Sequence, residues 1–346
     1  MTSTTSTPSS TTDDDAPPAG TRPARRGAGL RESPWARFAL RRGIRLLVSL
    51  WVLVTASFLM IHLIPGDPVR AALGPTAPAS LVAARRASLG LDDPLWLQYL
   101  HYLRGVLTGE LGSSLGSSLP VSRIIGERLP ATLELALLAF LVVLALAVPL
   151  GVGMAVLTRG GRRRRTELAF TSGSVVVGAL PEFLVGVAFV YVFSVTLGWL
   201  PVAGRTTPAS YLLPVLALAV GPAAALARIM RVEMLTALRA DHVRTARAKR
   251  LPASQVYLRH ALPHALTAAV TLGGLLLSAL VAGTVLVENV FAWPGLGGTI
   301  VSSILDKDYP VVQGVVLVYG AGVLLVNLTV DVVLALLDPR SVIRES

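Results

Sequence analysis

Cysteine is absent from the 346 residues. That excludes disulfides, thiolate catalysis and cysteine-ligated metal. Lysine is nearly absent: only Lys249 and Lys307 occur, and neither follows a glycine-rich turn. The phosphate loop G-x-x-x-x-G-K-[ST] is therefore missing, and the chain is not expected to hydrolyse ATP by itself. The five histidines, His62, His101, His242, His260 and His264, are scattered. His260 and His264 stand four apart, a spacing at which two imidazoles can share a metal. The intervening Ala-Leu-Pro lacks a zincin glutamate, and Pro263 disturbs the helix that would align them. No metal or cofactor is expected on this chain. The stretch Gly112-Ser-Ser-Leu-Gly-Ser-Ser118 has no accompanying catalytic triad pattern.

Charge is scarce too, at 15% of residues, while 53% are hydrophobic. Mean hydropathy is +0.65. Soluble domains rarely have this balance. Apolar runs of about 18 or more residues read as membrane-spanning helices. Six can be placed, over residues 43–64, 131–157, 166–197, 213–229, 266–286 and 311–337. Pro181 is expected to kink the third. The expected class is an all-α polytopic protein embedded in a lipid bilayer.

The net charge of +11 concerns topology more than nucleic acid, because Arg and Lys collect in cytoplasmic loops. Arg31, Arg37, Arg41, Arg42 and Arg45 flank the first span. Arg159 and Arg162 to Arg165 follow the second. Arg228, Arg231, Arg239, Arg244, Arg247, Lys249, Arg250 and Arg259 follow the fourth. With six spans these clusters share one side, so both termini are expected in the cytoplasm. Residues 1–34, rich in Ser, Thr, Pro and Ala, are expected to form a disordered cytoplasmic tail. Residues 341–346 form a second short tail.

The remaining organisation is a first membrane helix at 35–64, an external subdomain at 65–130 and a core at 131–340 with five spans. The 65–130 segment is too long for a simple connection. Its run Leu95-Trp-Leu-Gln-Tyr-Leu-His-Tyr-Leu103 has helical spacing, and is expected to lie on the membrane or pack over the bundle mouth. Gly274, Ser278 and Ala282 recur every fourth residue, a small-residue stripe suited to close helix contact, within the chain or with a second subunit. Charges inside spans are functional candidates. Glu134, at the outer end of span two, and Glu182, after Pro181, are the candidates for a translocation pathway, each with a structural alternative. Asp331 is expected to make a polar contact near the cytoplasmic interface.

The basic segment 231–264 separates two spans and reads as two helical pieces broken near Arg250-Leu-Pro252. Anionic lipid would explain its arginines but not this arrangement. Arg244-Thr-Ala246, Arg250 and Leu262-Pro263 fall at the spacing of the "EAA" loop of ATP-binding-cassette (ABC) importers. That pattern is Glu-Ala-Ala, three residues, Gly, nine residues, a hydrophobic residue, any residue, Leu-Pro. Arg244 to Lys249 reads Arg-Thr-Ala-Arg-Ala-Lys, as in the peptide-importer branch. Further matches are Ile64-Pro-Gly-Asp-Pro68, Leu89-Gly-Leu-Asp92, Gln98-Tyr-Leu100 and Ala131-Thr-Leu-Glu-Leu135. They continue with Val287-Glu-Asn-Val-Phe-Ala-Trp-Pro-Gly-Leu-Gly297, Asp308-Tyr-Pro-Val-Val-Gln-Gly314, Asn327-Leu-Thr-Val-Asp331 and Asp338-Pro-Arg340. The ordered series resembles the B-type permease subunit of dipeptide, oligopeptide and nickel ABC importers.

The resemblance implies the type I importer permease fold, a bacterial inner-membrane location and no catalysis. It implies a second, homologous permease subunit, two cytosolic ATPases that use ATP and Mg, and an extracytoplasmic solute-binding protein. Asp241, Val243, Arg244, Thr245, Ala246, Arg247, Ala248, Lys249, Arg250, Leu262 and Pro263 would couple the chain to an ATPase. A large acid at Ala246 would then abolish uptake. Arg250 departs from the family glycine. Either the turn is right-handed, with Pro252 opening the next helix, or coupling differs. Peptides lead as cargo, with nickel or another small solute as the alternative. A secondary transporter is the rival class, and would call for inverted repeats, which are not evident. A membrane scaffold would leave the basic loop without a purpose.

Overall fold

The computed structural model describes residues 34–63, 67–74, 76–88 and 90–337. The tails at 1–33 and 338–346, and motif positions 64–66 and 89, lie outside them. The described residues are almost wholly helical.

Helix α1 (Pro34–Leu63) crosses first. Three short helices follow, α2 (Pro68–Leu73), α3 (Ala79–Ser88) and α4 (Leu95–Thr108). Asp67 caps α2, its Oδ1 accepting from the backbone N–H of Val69 at 3.0 Å and of Arg70 at 3.4 Å. Arg86 on α3 bridges Asp67 and Asp92 at 3.1 and 3.0 Å. Partial burial pushes the Asp67 carboxyl up, but these hydrogen bonds outweigh it and hold the carboxyl below its ordinary value. The aromatic run in α4 packs on the C-terminal end of α1. Tyr99 Oη meets Thr55 Oγ1 at 2.9 Å, Tyr102 Oη donates to Ser57 Oγ at 3.2 Å, and both rings lean on Phe58.

Helix α5 (Val121–Thr158) begins ten residues before the expected second span. Pro130 removes one rung of its hydrogen-bond ladder without ending it. At 1.5 Å per residue α5 is about 57 Å long, so it extends well beyond a hydrocarbon core of about 30 Å. The 65–130 subdomain therefore has no separate end: its last ten residues are the first turns of a membrane helix. The serine-rich turn before α5 docks on Asp308, with Ser114 Oγ at 2.5 Å from Oδ2 and Leu115 N at 3.0 Å from Oδ1.

The expected third span is broken rather than mildly kinked. Helix α6 (Arg164–Ala179) and helix α7 (Glu182–Phe189), which continues as a π-helical turn at Val190–Thr196, meet at 93°. A residue before proline is pushed out of the helical region. Leu180 accordingly sits at φ −74°, ψ 125°, and α7 restarts after Pro181. Among the described residues, five helices are long and apolar enough to cross a membrane, and six if this bent pair is one span.

Helix α8 (Leu212–Ala237) forms the centre, half of its apolar window being buried. It comes close to α5 at Gly151, where a Cβ would stand 2.6 Å from the Ala227 carbonyl oxygen. Helix α8 runs past the expected end at 229, so Arg231 is in a helix and not in an open loop. It is 7% exposed and donates to Thr158 Oγ1 at 2.9 Å, and pairs with Glu167 at 2.7 Å. Those contacts tie the ends of α5, α6 and α8 together.

Helices α9 (Asp241–Ala248) and α10 (Ala253–Gln255) form the excursion after α8, and a π-helical turn at Val256–Ala261 leads into α11 (Leu262–Val290). Pro263, near the start of α11, cannot donate and crowds the carbonyl four residues back. The wider turn before it relieves that crowding. Helix α12 (Leu296–Leu305) and helix α13 (Tyr309–Leu337) complete the bundle. The small-residue stripe faces α13 of this same chain. Gly274 admits the Val330 side chain, and Ser278 Oγ donates to Asn327 Oδ1 at 2.8 Å. Ala282 is exposed and takes no part.

Candidate coupling helix and pathway residues

Helix α9 has two chemically different faces. Val243 and Ala246, three apart, are 0% and 4% exposed. They belong to one apolar core with Met234 and Ala237 of α8, Leu238 just after it, and Val256 and Ala261 of the return segment. Asp241, Arg244, Thr245, Ala248, Lys249 and Arg250 are exposed. Arg247 lies between the faces. Its guanidinium donates to the Leu238 carbonyl at 3.2 Å, and burial, with Arg159 nearby, lowers its pKa from the usual arginine range. His242 faces the return segment, 3.2 Å from the His260 carbonyl, with its ring 4.4 Å from that of His264. Leu262 packs against the same core and Pro263 is exposed.

Arg250 adopts φ +57°. The right-handed alternative is thereby overturned: arginine takes a left-handed conformation that glycine adopts more readily. The turn needs it because Lys249 N and Arg250 N still bond back to Thr245 O and Arg247 O while the chain reverses toward Pro252. Glycine at 250 is expected to stabilise the loop by about 1 kcal/mol, since a side chain there costs roughly that much. Local hydrogen exchange of 241–256 in R250G is the check; faster exchange than in the parent would contradict it.

The pathway candidates are not brought together. Glu134 is paired with Arg205 of the loop before α8. Arg205 also donates to Tyr211 Oη at 3.1 Å and lies 5.9 Å from the Trp293 ring centroid. This cluster links α5, the loop before α8 and the loop after α11. Glu182 opens α7 beyond Pro181, half-buried at the bend, and accepts no hydrogen bond from the described residues. It faces α11 at Gly283, where a Cβ would lie 3.8 Å from its Oε1.

One buried acid was not singled out from the sequence. Glu288, expected in an outer loop, is inside α11 and 0% exposed. Its Oε2 accepts from Gly297 N at 2.6 Å and Gly298 N at 3.4 Å, capping α12. Its Oε1 has no partner among the described residues. Gly295 and Gly297 permit this wrap, because a Cβ on either would overlap the carboxylate. Trp293 Nε1 donates to Ala131 O at 3.0 Å, and Leu296 N to Thr132 Oγ1 at 2.8 Å, fastening the same loop to α5. The glycine pattern Pro-Gly-Leu-Gly beside a glutamate at a span's edge was the available signal.

Among the described residues, no group of three or more His, Asp or Glu could hold a metal. The molecule is a multi-pass helical membrane protein, and the polar segment between α8 and α11 presents a short amphipathic helix. Two family descriptions match it. "Binding-protein-dependent transport system inner membrane component" covers residues 147–342, and the N-terminal region of such membrane components covers 35–136. The chain is 39% identical over 302 residues to the glutathione transport system permease protein GsiC of Salmonella typhimurium (strain LT2). It is 36% identical to GsiC of Escherichia coli (strain K12). Each alignment covers 87% of this chain and 97% of the relative. A chain of the inward-facing MetNI methionine ABC transporter aligns with a TM-score of 0.49 and 19% identity, over 62% of this chain and 96% of that one. The chain belongs to the inner-membrane permease components of binding-protein-dependent ABC importers, of the peptide and nickel type. It is a transport subunit and not an enzyme; in such importers hydrolysis belongs to separate ATPase subunits.

Proposed function

We propose that this chain forms half of a transmembrane pathway for small peptides, including glutathione-like ones, and that α9 couples it to a cytosolic ATPase. The two-sided character of α9 carries the reading. Its buried face is continuous with the core below α8 and α11, so a force applied to its exposed face is transmitted to both helices. An exposed position would be free to contact a partner; Val243 and Ala246 serve to anchor. A second homologous permease completes the pathway, and two ATPases draw together on binding ATP and Mg. An extracytoplasmic binding protein delivers the solute and supplies specificity. Movement of α9 then tilts α8 and α11 between inward and outward openings. Both termini face the cytoplasm, on the side of the arginine clusters. The names of the GsiC relatives support peptide-like cargo over nickel.

The test is uptake of labelled glutathione and of a dipeptide by proteoliposomes holding the assembled importer. Transport is expected to require ATP and to persist when ion gradients are collapsed. Uptake driven by an ion gradient without ATP would place the chain among secondary transporters instead. Uptake of nickel alone would refute the peptide assignment.

A further inference from the structure

A cavity of about 310 Å³ opens between α1, α11 and α13, toward the ends of α1 and α13 nearest the termini. Its polar rim comes from one face of α1. Arg42, Arg45 and Ser49 follow at helical spacing. Arg42 is committed to Asp331 of α13, 2.5 Å away. Arg45 is exposed and pairs with no described residue. Across the cavity, Asn327 gives its Oδ1 to Ser278, which leaves its amide N–H groups to donate. The rest of the lining is aliphatic, including Leu46 and Leu328. Leu275 of α11, also in the lining, is 58% exposed.

Charge, donors and greasy surface thus occur in a fixed order. A guanidinium with no partner among the described residues, that of Arg45, stands at the membrane-interface end. Hydroxyl and amide donors lie beside it, and an aliphatic trough extends from them. A phosphate takes up the first two, and a hydrocarbon chain fills the third. Because Asp331 cancels Arg42, the pocket keeps one net positive charge, which suits a net-negative headgroup over a zwitterionic one. We propose that this cavity is a binding site for an anionic phospholipid of the cytoplasmic leaflet. Its phosphate lies against Arg45, Ser49 and Asn327, and one acyl chain lies along Leu275. The lipid fills the seam between α1 and α13, the two helices that carry the ends of the chain. The leaflet rests on the orientation given above, whereas occupancy is read without any transport assay, so the two can fail separately.

The full chain, purified in mild detergent with the subunits that accompany it and then delipidated, is titrated by native mass spectrometry. The probes are phosphatidylglycerol, phosphatidylcholine and glycerol 1-phosphate. Phosphatidylglycerol is expected to be retained in preference to phosphatidylcholine. R45Q is expected to weaken that retention about fivefold, the effect of one interfacial cation, and R45K to keep it. L275W, at an exposed position, fills the trough and is expected to release the lipid. Equal retention of phosphatidylglycerol by wild type and R45Q would overturn the site. So would glycerol 1-phosphate binding as tightly as the lipid, which would mean a free phosphate pocket. Capture of a second permease chain by a photocrosslinker at Leu275 would make the cavity a subunit interface and would also overturn it.

Discussion

Glutamate at Arg244 together with aspartate at Ala248 is expected to reduce uptake more than about tenfold, because like charges forced against a partner surface cost several kcal/mol. The chain itself loses almost nothing. Arg244 and Ala248 are on the exposed face of α9, and the Arg244–Asp241 pair, at 3.5 Å between side chains 74% and 95% exposed, contributes little. Membrane insertion and thermal stability should therefore match the parent, and only transport and transport-stimulated ATP hydrolysis should fall. The acid at Ala246 that the sequence motif recommends cannot make this separation. Its side chain is inside the core, so a carboxylate there is buried without a partner and damages the chain as well as any contact. Normal uptake by the Arg244/Ala248 double variant, at normal expression, would remove α9 from the coupling route.

Alanine at Glu288 is expected to cost about 3 kcal/mol, because it strands the buried N–H of Gly297 and the half-buried N–H of Gly298, which now reach a carboxylate. Gly297 N and Gly298 N have that oxygen as their partner at the start of α12, and the same loop holds Trp293 and Leu296 against α5. Phe291, at the head of the loop, packs where Gly186 of α7 leaves room for its ring. Loosening the loop should therefore loosen α7 and α12 together. Glutamine keeps an acceptor at the same place, and E288Q is expected to lose about 1 kcal/mol. Thermal unfolding of both variants in the same detergent is the measurement. If E288A melts with the parent, the carboxylate is not what fixes the loop.

The membrane helices could be read from residue order because each long apolar stretch has only one way to satisfy its backbone in lipid, as a helix. The family motifs likewise located α9, since its charges and its spacing are local properties. Extents were less legible. Pro130 looks like a boundary in sequence, yet α5 runs through it, because one missing rung in a helix of 38 residues does not end it. Pro181 predicts a bend but not its size; the 93° angle depends on what α6 and α7 pack against.

Composition and order alone determined that this chain lives in a membrane, that it cannot carry thiol chemistry or a phosphate loop, and that residues 231–264 form a basic segment between two spans. Only the tertiary structure decided which side of α9 is free. It turned Val243 and Ala246 inward, left Arg244 and Ala248 outside, put Arg250 in a left-handed turn and buried Glu288 beneath a glycine loop. The physical reason is that helical periodicity states which residues share a face, whereas the neighbours that face meets are brought in from distant parts of the chain.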